Sequence, residues 1–205
     1  MDQLLFISYE LAVTLIPFFI VFILSRRFEK RRGIVSSRSR DIAAVLFALY
    51  IFAVFHVTGA GTVYDGLLYR LEFRPEEIHL IPFSNGFDIT ALFNILLFLP
   101  FGILVPLIWA KMDHPVWILC SGFSFSLLIE LSQLLNRRRT DIDDLILNTF
   151  GALIGFAIYK FFARASKHHP QATPNRMLFI YIAAMFLGHF LLFHDMGLAK
   201  LLYGF

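Results

Sequence analysis

Glu130-Leu131-Ser132-Gln133-Leu134-Leu135-Asn136-Arg137-Arg138-Arg139-Thr140-Asp141-Ile142-Asp143-Asp144-Leu145-Ile146-Leu147-Asn148-Thr149-Phe150-Gly151-Ala152-Leu153-Ile154-Gly155 joins two apolar runs through a short, densely charged turn. Glu130 and Gln133 lie inside the first run and Asn148 inside the second. Glu130, Gln133 and Arg137 are spaced three and four apart, so they share one face of a helix that ends at the turn. Asp141, Asp144 and Asn148 repeat that spacing on the next helix, whose stripe continues to Gly151 and Gly155. The pattern predicts an antiparallel helix hairpin with two polar stripes meeting near its closed end. Thr140 followed by Asp143 matches a capping box, and acidic residues suit a helix N-terminus. Gly151 and Gly155 form a small-xxx-small face that admits another helix at close range.

The rest of the chain sets the solvent for this hairpin. Of 205 residues, 58% are hydrophobic and only 16% charged, against about a quarter charged in ordinary soluble domains. The apolar residues gather into runs of about 18–21, enough to cross a hydrocarbon core about 30 Å thick. Runs of that length imply helices rather than barrel strands. The expected fold is an all-α integral membrane protein with about six spans, at 4–24, 42–58, 91–109, 115–135, 145–162 and 177–194. The start of the chain lacks a basic n-region and a cleavage site, so it does not read as a cleaved leader.

Residues 25–41 carry Arg26, Arg27, Lys30, Arg31, Arg32, Arg38 and Arg40, the strongest topological signal in the chain. They place this loop in the cytoplasm and the N-terminus outside. With that orientation, 12 of the 18 Lys and Arg residues fall inside. Half of the exceptions are Arg137, Arg138 and Arg139, kept on the unfavoured side. The pI near 9.1 follows from this bias, and no basic soluble face exists to bind nucleic acid. The single cysteine, Cys120, lies in an apolar run and supports neither a disulfide nor a thiolate metal site.

The remaining polar groups invite simpler readings. Glu10 sits about two turns inside the first span, facing other helices or, as favoured here, close to the interface. His56 reads as a lone interfacial residue. His189 and His194 are five apart and point to different faces, and His168 and His169 belong to a solvated loop. Asp195 and Lys200 follow the last span. The external loop 59–90 is the longest. Thr62 is placed to cap a short interfacial helix, and the segments flanking Arg74-Pro75-Glu76-Glu77 alternate as a small hairpin would. The third span holds Asn94 in its outer turn. Pro100 and Pro106 should kink or locally unwind it, with Gly102 easing the bend.

Two uses of the charged hairpin stay open. In one, Arg–Asp pairs and Asn148 clip the helices together. In the other, guanidinium forks hold a phosphate while carboxylates and amides hold sugar hydroxyls or act as acid and base. Glu130 is then a candidate proton donor, and the aspartates alternatively suit a divalent cation. No metal or cofactor is expected from the sequence as a whole.

Three stretches together resemble the VanZ-like family of bacterial membrane proteins. They are Leu80-Ile81-Pro82-Phe83; Asn94 through Phe98, Pro100, Phe101 and Gly102; and Ile129-Glu130 with Gln133, followed by Arg138-Arg139-Thr140-Asp141-Ile142-Asp143-Asp144, Asn148 and Gly151. The match runs over about residues 45–162 and divides the chain into an N-terminal span with its basic loop (1–41), a VanZ-like membrane domain (42–162) and a C-terminal segment (163–205). Family members usually carry one arginine ahead of the aspartates, a position that Arg138 or Arg139 fills here, and His79 stands where asparagine is common. The resemblance implies a multi-pass protein of the bacterial cytoplasmic membrane with a role in reduced susceptibility to teicoplanin and other lipoglycopeptides. The expected ligand-binding residues are Asn94, Glu130, Gln133, Arg138, Arg139, Asp141, Asp144 and Asn148, with Glu130, Asp141, Asp143 and Asp144 as candidates for catalysis. Beyond the lipid bilayer, the expected partner is a lipid-linked glycan or a phospholipid headgroup, bound or altered at the external leaflet. The alternatives are an intramembrane enzyme acting on such a headgroup and a non-catalytic structural or partner-binding protein.

Overall fold

The computed structural model of the chain describes residues 3–33, 37–70, 74–84, 86, 89–166 and 176–193. It is an all-helical membrane bundle. The helices are α1 (Gln3–Arg31), α2 (Arg38–Thr58), α3 (Val63–Leu68), α4 (Ile89–Ile108), α5 (Pro115–Gln133), α6 (Ile142–Ser166) and α7 (Arg176–Leu192). Among the described residues, α1, α2, α4, α5 and α6 are long and apolar enough to cross a membrane, and α7 is an apolar helix of 17 residues. Large side chains such as Ile20, Leu24, Leu46, Phe93 and Leu187 are exposed, as suits helices whose solvent is hydrocarbon. The chain divides into two compact units, residues 1–72 with 176–205, and residues 73–175.

In the first unit, α1 and α7 cross where Gly188 meets α1. A Cβ at Gly188 would collide with the Val13 carbonyl and the Pro17 ring. Phe18, Phe47, Ile51, Phe55, Leu178 and Met185 are buried in this unit. The basic segment 25–41 is less of a loop than its composition suggests, because α1 runs on to Arg31 and α2 begins at Arg38. Acidic partners make this possible. Glu29 accepts from Arg26 and from Arg40, the latter at 2.8 Å, and Arg26 also pairs with Asp41. Ser25 and Tyr181 hydroxyls meet at 2.9 Å, tying α1 to α7.

Glu10 faces other helices, the first of its two expected placements. It is 2% exposed, and its Oε2 lies 2.6 Å from His56 Nδ1 on α2. His56 is therefore not a lone residue. Across the end of α2, Thr62 caps α3 as expected, and Asp65 makes the cap a reciprocal capping box. Residues 71–73, half of the expected hairpin, lie outside the described residues, as do His168, His169, His194, Asp195 and Lys200.

In the second unit, α4 packs on α6 with backbones almost touching. A Cβ at Gly151 or Gly155 would strike the carbonyl of Ile95 or Leu99, and one at Gly102 would strike the Ala152 carbonyl. The small-residue face read from sequence thus finds its partner in α4, with a glycine on each side. α4 remains one continuous helix over Ile89–Ile108 through both Pro100 and Pro106. Backbone groups freed by proline are tolerated in a membrane where protein covers them, and Phe101, Gly102, Val105 and Pro106 are all buried. Phe98, Phe101 and Phe125 form an aromatic cluster between α4 and α5, with Phe101 and Phe125 stacked at 5.6 Å. At the opposite end from the charged turn, Lys160 pairs with Asp113 at 2.7 Å.

Candidate functional site

The α5–α6 hairpin closes through a short extended segment rather than a bare loop. Thr140–Asp141 forms strand β2, which pairs in parallel with β1 (Ile78–His79), Ile78 opposite Thr140 and His79 opposite Asp141. This pairing draws the loop before α4 onto the turn between α5 and α6. It also displaces the expected cap. Thr140 is held extended and donates its hydroxyl to the Glu130 carbonyl at 3.4 Å. The cap of α6 is Asp141, whose Oδ1 accepts the Asp143 N–H at 3.0 Å. Asp143 is left to accept the Phe83 N–H at 2.8 Å. Phe83 and Arg137 both have positive φ, 56° and 58°, an uncommon conformation for residues with side chains.

Around this frame the predicted residues fall into three layers. Deepest is Asn148, 3% exposed, whose Nδ2 donates to Ser126 Oγ on α5 at 3.0 Å. Above it lies Glu130, 4% exposed, whose Oε2 accepts the Asp141 N–H at 3.1 Å. Asp141 and Asp144 are close enough for their charges to act on Glu130. Asn94 on α4 donates its amide to Asp144 Oδ1. Gln133 is buried one turn beyond Glu130. Outermost are Arg137, Arg138 and Arg139, all exposed; Arg138 steadies the turn by donating its N–H to Asn136 Oδ1 at 3.3 Å.

The structure thus brings Asn94, Glu130, Asp141 and Asp144 together from α4, α5 and α6. It leaves Arg138 and Arg139 at the rim and Asn148 below. Sequence reasoning missed Ser126 and Phe83. Ser126 lies four residues before Glu130, one helical turn down the same stripe, which is a signal the spacing carries. Phe83 enters through its backbone N–H; its stretch carries the family resemblance, but side-chain spacing does not mark a backbone donor. Among the described residues, no group of three or more His, Cys, Asp or Glu side chains is disposed to hold a metal ion.

Lipid-length helices define a multi-pass helical membrane protein, and this one holds a buried carboxylate and amide cluster near one end of a helix hairpin. Residues 45–163, more than half of the chain, match the VanZ/LLP1 family, and the chain belongs to that family. The match takes in every residue of the cluster just described and leaves out α1 and α7. No curated protein and no solved structure matches the chain.

Proposed function

We propose that the cluster near the joined ends of α5 and α6 binds the headgroup of an envelope lipid or lipid-linked glycan at the external leaflet of the bacterial cytoplasmic membrane, and thereby lowers susceptibility to teicoplanin and related lipoglycopeptides. The observation behind this reading is the convergence of Asn94, Glu130, Asp141 and Asp144 beneath an exposed arginine rim. Arginine forks suit phosphate, which they grip in two places at once. Carboxylates and amides held by a rigid frame suit the hydroxyls of a sugar. Membership of the VanZ/LLP1 family supports a role at the cell surface. The test compares Glu130→Gln and Asp144→Asn with wild type at matched expression. Teicoplanin susceptibility should rise in both variants; unchanged susceptibility sinks the assignment.

A second reading has its own observation. The hydrogen bonds of the cluster are internal to the second unit, joining α4 to α6, α5 to α6 and the loop before α4 to α6. Such contacts between membrane helices contribute about 0.6–2 kcal/mol each. The double exchange Asn94→Asp with Asp144→Asn keeps the pair and reverses its members. Recovery of wild-type susceptibility in the double exchange favours a structural clip, and continued loss favours a ligand that reads each position separately.

A further inference from the structure

Three ionisable side chains meet inside the first unit, each from a different helix: Glu10 from α1, His56 from α2 and His189 from α7. Glu10 and His189 are 2% and 1% exposed. His56 Nδ1 lies 2.6 Å from Glu10 Oε2. His189 Nε2 lies 3.1 Å from the carbonyl oxygen of Ala60. The other nitrogen, His189 Nδ1, is 3.8 Å from Glu10 Oε1 and is buried with no hydrogen-bond partner.

The carbonyl fixes the tautomer. A carbonyl oxygen only accepts, so His189 Nε2 carries a hydrogen, and in a neutral imidazole Nδ1 is then a bare lone pair. That lone pair faces a carboxylate oxygen. Two acceptors confront each other between buried side chains, and a proton on either one would turn repulsion into attraction and allow a hydrogen bond once the 3.8 Å gap closes slightly. Charge leads to the same point. With His56 donating to an ionised Glu10 and both imidazoles neutral, the cluster carries a net negative charge, and an uncompensated charge on a buried group is costly. One added proton, on Glu10 Oε1 or His189 Nδ1, cancels it.

We propose that Glu10, His56 and His189 form an intramembrane proton-binding site that holds one extra proton at neutral pH, with His56 as its contact to the outside. The His56 side chain is 43% exposed while that of Glu10 is 3% exposed. The neighbouring charged and titratable groups do not supply the missing charge. Asp65 on α3 acts on His189 electrostatically, but it is negative and already accepts from Thr62. Tyr9 on α1 donates to the Leu192 carbonyl. Thr14, a turn along α1 from Glu10, is fully buried with its hydroxyl unpartnered. Glu10 and His189 lie outside the family match, and His56 lies inside it.

The test uses the full chain in lipid nanodiscs. Infrared spectra at neutral pH should show a protonated-carboxyl band lost in Glu10→Gln, or nitrogen NMR should show a cationic imidazole lost in His189→Gln. Either signal should disappear as the pH is raised. If neither is present at neutral pH, the proposal is overturned. Should the variants fail to fold, wild type with nitrogen-labelled histidine still decides. A His189 Nδ1 that is protonated or hydrogen-bonded supports the site, and a free lone pair on Nδ1 at neutral pH overturns it.

Discussion

Asp141 uses its side chain and its backbone in different directions. The carboxylate caps α6 through the Asp143 N–H, and its own N–H goes to Glu130. Loss of an N-cap costs about 0.5–2 kcal/mol. Asp141→Ala should therefore lower the thermal unfolding temperature in detergent, while Asp141→Ser, which can still cap, should stay near wild type. Equal unfolding temperatures for the two variants would mean that the cap contributes nothing. If Asp141 also touches a ligand, Asp141→Ser will be stable yet as teicoplanin-susceptible as Glu130→Gln. The sequence reading held one capping box, Thr140 with Asp143, and one cap, Thr62, and only the cap at Thr62 formed. Thr62 caps α3 as expected, and Asp65 completes a reciprocal box. Thr140 and Asp143 have the same spacing, but strand pairing with Ile78 holds Thr140 extended and moves the cap one residue on. A local pattern cannot register a partner 62 residues away.

At the scale of the helix, the α4–α6 contact is set by glycine rather than by side-chain bulk. Without a hydrophobic force between helices in lipid, close backbone approach and dispersion carry association. Gly151→Ala would drive a methyl group into the Ile95 carbonyl, and backbone cannot yield as a side chain can. Overpacking of this kind costs about 1–3 kcal/mol. Gly122→Ala makes a milder comparison, since its added carbon would meet the Ala152 side chain at 3.0 Å. Thermal unfolding should show the larger loss for Gly151→Ala, and a reversed order would contradict the backbone-contact account. The glycine face on α6 was legible because its four-residue spacing is a property of one helix. Its partner was not, because Gly102 reads equally well as a hinge beside Pro100. Gly188 carried no pattern at all; only the placement of the Val13 carbonyl and the Pro17 ring on α1 gives it a purpose.

Across the whole molecule, what could be read from sequence divides by range. Apolar run length foretold the order of the helices, since a span needs about 20 residues wherever it occurs; among the described residues five of the six expected spans reach that length and α7 has 17 residues. The stripes of Glu130 with Gln133 and of Asp144 with Asn148 were visible because helical spacing is local. Glu10, His56 and His189 each looked isolated, because their association depends on how three separate helices pack. Orientation rests on another whole-chain property, the distribution of Lys and Arg. Arg26 and Arg40 are ion-paired with Glu29 and Asp41, but the bias counts basic residues and is barely sensitive to acidic ones, so residues 25–41 should still lie in the cytoplasm. The turn at Arg137–Arg139 should then face outward, as a site for an external-leaflet headgroup requires. Single cysteines at two exposed positions, Ser39→Cys and Arg138→Cys, each in a Cys120→Ser background, test this directly. A membrane-impermeant maleimide applied to intact cells should label position 138 and spare position 39, and permeabilised cells should label both. Labelling of position 39 alone in intact cells would invert the topology and remove the external leaflet from the proposed function, whatever the cluster binds.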